Sequence, residues 1–217
     1  MDLLQNKSYA FWERVYLVID LTYRIQNYIE QKQLDKLRKA VECYRDVGFC
    51  KELLMKLPIN MNSVHGCWGI IYSLFEQIES LCQDLGDKKE FFSKYKALHK
   101  DEEETYREWN LRFKEILDQS EYEKLAVAFV FEYYMDALKE KDLFLNIVKM
   151  ALLLVLIMTY ELIDYNTQGK LTKEQKILTI SKISRAMEHS TLLDIVAENL
   201  IKSNEQIQFY VLAYLLY

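Results

Sequence analysis

Glycine and proline are both scarce in this sequence. It has 5 glycines and one proline among 217 residues, whereas an average composition places the two together at roughly 12%. Tight turns depend on glycine, proline, asparagine and aspartate, so a β-sandwich or a β-barrel would lack its turn residues. A doubly wound α/β domain is disfavoured for a related reason, because its first turn is rich in glycine. The composition therefore favours long helices.

Segments that would direct the chain to a membrane are also missing. Residues Met1–Leu4 contain no basic region followed by an apolar one, so we expect no signal peptide. The most apolar run, Met150–Tyr160, is shorter than the ~20 residues that a membrane span requires, and Lys149 and Glu161 bracket it closely. We interpret this run as the central buried helix of a cytoplasmic protein that has no membrane partner.

The cysteines follow no metal-binding pattern. The sequence has 4 cysteines, Cys43, Cys50, Cys67 and Cys82, and no C-x-x-C pair. Reduced, buried thiols in a cytosolic protein are the simplest interpretation. A metal site that combines the first three with His65 is conceivable, but the spacings match no zinc pattern. We therefore expect no metal site.

Signatures of common enzymes and of nucleic-acid binding are absent as well. The three histidines, His65, His99 and His189, form no H-E-x-x-H motif, and the sequence has no G-x-S-x-G, Walker A or G-x-G-x-x-G motif. The formal net charge is −5. The richest basic stretch, Lys88–Lys100, is interrupted by acidic residues. We expect no nucleic-acid partner, because binding to nucleic acid needs a positive surface.

What the sequence does contain is helical periodicity and helix caps. Apolar residues recur every three to four positions, and the spacing of Asp87–Glu90, Ser120–Glu123, Thr172–Gln175 and Ser203–Gln206 is that of the capping box. We predict helices over about 9–31 (with Ser8 as N-cap), 34–57 (with a break at Gly48), 64–84, 87–117, from 120 onward, 142–165, 172–188, 191–202 and 204–216. The predicted fold is all-α: a bundle of eight or nine helices with a long central buried helix. Residues 1–217 form a single helical domain, with a possible subdivision near 100–104.

The most polar cluster in the C-terminal third is Arg185, Glu188 and His189. Spacings of three and four residues place these side chains near one another on a helix. The segment could equally be an ordinary helix end, where a positive charge on His189 is favoured and Ser190 caps the next helix. The nearly apolar ending, Phe209–Tyr217, either docks into the core or meets a partner.

Three segments resemble the flagellin lysine-N-methylase family. They are Leu3–Arg14 (LLQNKSYAFWER), the aromatic Phe131–Tyr134 and the Arg185–Ser190 segment (RAMEHS). The resemblance covers almost the whole chain, but only the C-terminal part of the family's length. It implies a bacterial protein connected with flagellin modification, a protein substrate similar to flagellin, and S-adenosylmethionine as the methyl donor of the full-length protein.

The resemblance also suggests what the cluster around Arg185 could do. Glu188 or His189 could take a proton from the lysine ammonium, and Arg185 could pair with a carboxylate. The family's cysteine-rich N-terminal part, which resembles an iron–sulfur or metal cluster region, is missing here, so we expect no cluster in this chain. The chain is then a piece of a longer protein or a shortened relative, and its role is to hold the substrate or complete the methyl-transfer site.

Two other functions stay open. The chain could be a non-catalytic helical interaction module, for example a homodimer that uses its apolar C-terminal helix. A ligand-binding effector domain is a third possibility, although no DNA-binding segment is recognisable. The scarcity of glycine also removes the loop with which Rossmann-type methyltransferases hold their donor. The donor site therefore lies between helices or depends on another segment, and we favour the second.

Overall fold

The computed structural model describes residues 2–57, 117–140, 142–188 and 191–202, together with residues 108, 111, 112 and 115. The predicted helices over 64–84 and 204–216, the proposed subdivision at 100–104 and most of the predicted helix over 87–117 lie outside these residues. So do His65, Cys67, Cys82, His99, His189 and Ser190. The prediction of a single domain therefore stays a prediction.

The described part of the chain is made of helices and contains no strand. The eight helices are α1 (Asp2–Gln5), α2 (Phe11–Glu30), α3 (Leu34–Cys43), α4 (Val47–Met55), α5 (Gln119–Glu140), α6 (Leu143–Gln168), α7 (Lys173–Glu188) and α8 (Leu192–Lys202). This confirms the predicted all-α fold. The boundaries of the last three helices differ from the predicted ones by at most three residues.

The central buried helix is α6, and local signals fix both of its ends. The Oδ1 atom of Asp142 accepts a hydrogen bond from the Leu145 amide at 2.9 Å, which caps the N-terminus. Gly169 ends the helix with a φ of 69°, a left-handed conformation that costs glycine little and other residues more. The Gly169 amide donates to the Tyr165 carbonyl at 2.8 Å, so one of the free carbonyls at the helix end is satisfied.

The apolar part of α6 extends beyond the run Met150–Tyr160. Its segment Leu143–Asn166 is long and apolar enough to cross a membrane, but 89% of its most apolar window is buried inside the protein. The prediction that the apolar run is too short to span a membrane was therefore wrong, whereas its interpretation as a core helix is supported by the burial. α2, α5, α7 and α8 all pack against α6. Each fully buried leucine or isoleucine on it contributes about 2 kcal/mol of hydrophobic stabilisation.

The N-terminus of α2 differs from the prediction. Ser8 was expected to cap a helix that starts at residue 9, but the N-cap is Ala10 and the helix starts at Phe11. The Glu13 carboxylate accepts a hydrogen bond from the Ala10 amide at 2.7 Å. This is the glutamate half of a capping box, which stabilises the helix end without a capping side chain at residue 10.

The predicted long helix over 34–57 is two helices, and the break is not at Gly48. α3 ends at Cys43, and Asp46 caps α4 by accepting a hydrogen bond from the Phe49 amide at 2.7 Å. Gly48 lies inside the first turn of α4. The break therefore follows from the aspartate cap, which offers the chain a new helix start just before the glycine.

One of the two predicted capping boxes that fall on described residues is confirmed, and the other is shifted. At the start of α7, the Thr172 hydroxyl accepts from the Gln175 amide at 3.3 Å, and the Gln175 side chain accepts from the Thr172 amide at 2.7 Å. At α5, Asp118 rather than Ser120 accepts the capping hydrogen bond, at 2.9 Å from the Ser120 amide. The carboxylate of Glu123, the last residue of the predicted box, binds elsewhere in the fold.

Candidate functional site

The segment that carries the predicted site residues lies at the C-terminal end of α7. Arg185 occupies the last turn of this helix, and Glu188 is its final residue. The Arg185 side chain is exposed, and its Nη2 atom donates a hydrogen bond to the Ser181 hydroxyl at 3.2 Å. The side chain of Glu188 and all of His189 lie outside the described residues, so the roles of all three stay predictions.

The outer face of α7 is open along most of the helix. Six residues are exposed on this face, as two adjacent pairs and two single residues that follow one another at intervals of three or four: Lys173, Glu174, Ile177, Leu178, Lys182 and Arg185. The opposite face packs into the protein through buried residues, among them Thr179, Ile183 and Met187. A ligand as large as a protein segment can therefore reach the outer face of α7 without any rearrangement of the core.

Beneath α7, a buried glutamate on α6 meets a tyrosine from α5. Glu161 is 1% exposed and Tyr122 is 2% exposed, and the Tyr122 hydroxyl donates a hydrogen bond to the Glu161 carboxylate. The pairing satisfies two polar groups that would otherwise be buried without partners. The hydrogen bond also joins α5 to α6, and these two have the most extensive contact among the described helices.

The surroundings of Glu161 favour the protonated form of its carboxyl group. Burial is the largest cause, and it raises the pKa of Glu161 from 4.5 to about 7. The Tyr122 hydrogen bond and the charge of Lys176 on α7 oppose this shift, while the acidic neighbours Glu121 and Asp164 reinforce it. Burial and the nearby carboxylate in turn raise the pKa of Tyr122 well above its ordinary value. Glu161 can therefore change its charge near neutral pH.

A buried lysine lies on α6, nearer its N-terminus. Lys149 is 8% exposed, and its Nζ atom lies 2.6 Å from a carboxylate oxygen of Asp194 in the first turn of α8. The same ammonium lies 5.6 Å from the centre of the Tyr133 ring, within the range of a cation–π interaction. The lysine thus connects α5, α6 and α8 through one charge.

The joint between the N-terminal helices and α5 is a third polar cluster. Arg14 is 3% exposed. Its Nη1 atom donates to the Leu4 carbonyl at 2.7 Å and to the Glu123 carboxylate at 2.5 Å. Lys7 also binds Glu123. Because of the hydrogen bonds from Lys7 and Arg14, the pKa of Glu123 is lowered.

Asp20 on α2 belongs to a further enclosed cluster. It is 9% exposed, accepts a hydrogen bond from the Tyr44 hydroxyl and pairs with the Arg24 Nε atom at 2.9 Å. Burial is the largest cause of the raised pKa of Tyr44, and the nearby Asp20 charge reinforces it. The cluster connects α2 to Tyr44, the residue that follows α3.

The buried charged groups are suited to holding the fold together rather than to binding a ligand. Asp20, Glu161 and Asp164 are each at most 9% exposed, so a methyl donor could not reach these carboxylates. The glycines within the described residues are Gly48, inside the first turn of α4, and Gly169, at the end of α6. Neither forms the glycine-rich loop of a Rossmann-type donor site. The glycines of the described residues therefore do not supply the loop with which a Rossmann-type fold would hold S-adenosylmethionine.

The cysteines and acidic residues of the described part do not form a metal site. Cys43 is exposed and Cys50 is buried, and both are free thiols. Burial raises the pKa of Cys50, which makes this thiol a poorer nucleophile. Among the described residues, no three histidine, cysteine, aspartate or glutamate side chains are grouped so that they could hold a metal ion. That the complete chain binds no metal cluster stays a prediction.

Sequence reasoning named Arg185 as a candidate, which stays a prediction, and did not identify the Glu161–Tyr122 pair, the Lys149–Asp194 pair or the contacts of Arg14. The two partners of the first pair are 39 residues apart in the sequence, so no local spacing connects them. A weak signal was available, because Glu161 is followed by Leu162 and Ile163, which are both buried. A charged residue within an apolar helix needs a buried partner.

Comparison with known proteins identifies a family. A family model described as FliB lysine N-methylase C-terminal domain matches residues 1–217. No curated protein matches the chain. No solved structure matches it either.

Proposed function

Because the chain belongs to the family of FliB lysine N-methylase C-terminal domains, we propose that it holds the protein substrate of a lysine N-methylase. The full-length enzyme would methylate lysine side chains of a flagellin-like protein, with S-adenosylmethionine supplying the methyl group. The cytoplasm is the proposed compartment, because Cys43 and Cys50 are both free thiols and reduced thiols are typical of cytosolic proteins.

One observation favours holding the substrate over catalysing the reaction. The buried ionisable groups of the described part, above all Glu161, are enclosed by packed helices, whereas Arg185 is exposed at the end of α7. A group that removes a proton from the substrate lysine has to lie within hydrogen-bond distance of it. An exposed arginine is instead suited to binding a substrate carboxylate in a bidentate manner. In this proposal Arg185 contacts the substrate protein, and Glu188 and His189 extend the same contact.

Steady-state kinetics of a methylase that contains this domain test the proposal. We expect Arg185→Ala to raise KM for the protein substrate about tenfold while kcat stays close to the wild-type value. The reason is that loss of a binding contact weakens binding of the ground state and of the transition state equally. Glu188→Ala and His189→Ala should raise KM by smaller factors. Mass spectrometry of the methylated lysines provides the rate.

Lys202→Ala is the matched control, because Lys202 is a mainly exposed cation on α8 that pairs with Glu198 at 2.7 Å. It should leave both kinetic constants unchanged. Wild-type kinetics in all three of the other variants would overturn the proposal. A fall in kcat at constant KM would assign the segment to the chemical step instead, and the substrate-holding role would then be wrong.

A further inference from the structure

The region around α7 is positively charged in a negatively charged chain. Residues 170–188 contain five basic residues and two acidic ones, a net charge of +3. Since the whole chain has a net charge of −5, the other residues together have a net charge of −8. A charge distribution of this kind orients an approaching charged molecule before any contact forms.

The exposed outer face of α7 combines this charge with apolar side chains. We call it the α7 stripe; it consists of Lys173, Glu174, Ile177, Leu178, Lys182 and Arg185. Ile177 is 58% exposed and Leu178 is 54% exposed. The two lie next to each other, about one turn before Lys182 and about two turns before Arg185. An apolar centre with charged residues at its edge is typical of a protein-binding surface.

The stability of the helix explains only part of this arrangement. A cation in the last turn, such as Arg185, and an acid in the first turn, such as Glu174, are both favoured by the helix dipole. The dipole gives no reason for two large aliphatic side chains on the solvent face. Ile177 and Leu178 form an adjacent pair that a bound partner would remove from water.

The chemistry of the stripe distinguishes between kinds of partner. Nucleic acid would use the cations but leave the aliphatic pair in water, since phosphate contacts supply most of its affinity. A membrane-bound helix inserts a broad apolar face, whereas the apolar face of α7 is already buried in the core through Ile183 and Met187. An acidic protein segment with apolar side chains satisfies both parts of the stripe.

We propose that the α7 stripe binds an acidic segment of a protein partner, whose apolar side chains contact Ile177 and Leu178 and whose carboxylates pair with Lys182 and Arg185. This proposal rests on the proposed function, because it takes that partner to be the methylase substrate. The substrate lysine is itself a cation, so the stripe binds the acidic sequence beside it. The other residues of the chain, whose net charge is −8, repel the same sequence and favour the orientation that meets α7.

The test uses the whole chain and a fluorescein-labelled helical peptide with leucines on one face and glutamates on the other. Fluorescence anisotropy gives its Kd, and a peptide with lysines in place of the glutamates gives the comparison. We expect binding of the acidic peptide only, weakened about tenfold when the salt concentration rises from about 0.05 M to about 0.5 M. Equal binding of both peptides, or no binding of the acidic one, would overturn the proposal.

Matched variants locate the surface. The double variant Lys182→Glu/Arg185→Glu should raise Kd about tenfold or more. Lys51→Glu/Lys56→Glu, in α4 and at the residue that follows it, changes the net charge of the chain by the same amount and should leave Kd within about twofold. Ile177→Ser/Leu178→Ser should also weaken binding several-fold at unchanged charge. Thermal unfolding followed by circular dichroism shows that each variant is folded, and core residues are unchanged in all of them.

The remaining outcomes also decide the question. Equal loss in both charge variants would mean that only the overall charge matters, and unchanged binding by the serine variant would remove the aliphatic pair from the interface. Tighter α7-dependent binding of single-stranded RNA, or of phosphatidylserine vesicles, would replace the protein partner with another class. If the α7 variants no longer bind the peptide but keep the wild-type KM for methylation, the α7 stripe is a binding surface and the proposed function is wrong.

Discussion

Two glutamates of this protein, Glu161 on α6 and Glu123 on α5, have opposite electrostatic surroundings. On α5, Tyr122 faces the core and binds Glu161, while the next residue, Glu123, faces the N-terminal helices and binds Lys7 and Arg14. The pKa of Glu161 is raised to about 7, and that of Glu123 is lowered. Both carboxylates have little contact with water, since Glu161 is 1% exposed and the Glu123 side chain 13%.

The difference shows that the balance between burial and cationic partners decides the sign of the pKa shift in this protein. Glu123 has two cations within direct contact, which favour its charged form. Glu161 has a tyrosine hydroxyl as its direct partner, and one hydrogen bond does not offset the cost of burying the charge. The N-terminal joint is therefore an ion-pair junction, and the centre of the bundle holds a carboxyl that is partly neutral at pH 7.

The largest effect is expected at the ion-pair junction. Arg14→Ala should lower the free energy of unfolding by about 4 kcal/mol, because it leaves the Leu4 carbonyl and the Glu123 carboxylate without their buried donor. Urea denaturation followed by circular dichroism measures the loss. Arg38→Ala, an exposed position on α3, should change stability by less than about 0.5 kcal/mol. Similar losses in the two variants would show that the junction contributes little.

A smaller effect with a distinctive pH dependence is expected at Glu161. Its folded pKa lies above its unfolded value of 4.5, so the protonated carboxyl stabilises the fold at low pH. That contribution is lost as the pH rises through about 7. Glu161→Gln keeps an acceptor for Tyr122 and cannot ionise. The free energy of unfolding of this variant, relative to that of wild type, should rise by about 2 kcal/mol between about pH 5 and pH 8. Urea denaturation at each pH measures it. A constant difference across this range would contradict the raised pKa.

The smallest effect should have the opposite pH dependence. The lowered pKa of Glu123 means that its charged form stabilises the fold above the ordinary carboxyl pKa of 4.5. The contribution is lost as the pH falls through the lower folded value. Glu123→Gln should therefore cost about 1 kcal/mol at neutral pH and almost nothing in strong acid. A stability difference that grows as the pH falls would mean that the two glutamates do not differ as described.

The fold was predictable from the sequence where the signals are local. The capping box at Thr172 and the apolar run of α6 each determine their own helix, and both were recognised. Ser8 and Ser120 failed as caps because a neighbouring residue gave an equally good local solution. At Ser120 a long-range contact also prevents the predicted capping box. Glu123 pairs with Arg14, 109 residues away in the sequence, and is not available as the last residue of the box.

The candidate site was less predictable, for a related physical reason. The position of Arg185 near a helix end follows from helical periodicity, and the structure shows that its side chain is exposed. The α7 stripe could have been found from the charge excess over residues 170–188, although the exposure of Ile177 and Leu178 depends on which face of α7 packs on α6. The pairing of Lys149 with Asp194 likewise depends on how α8 docks.

The central position of α6 has a consequence for how the protein is made. Two of the helices that cover it, α7 and α8, come later in the chain, so during translation the most apolar segment is complete before its partners exist. Apolar surface that is exposed at this stage attracts chaperones and promotes aggregation. We therefore expect α6 to need shielding until α7 and α8 have been synthesised, and a chain that stops within α7 to aggregate or be degraded rather than fold as a shorter domain.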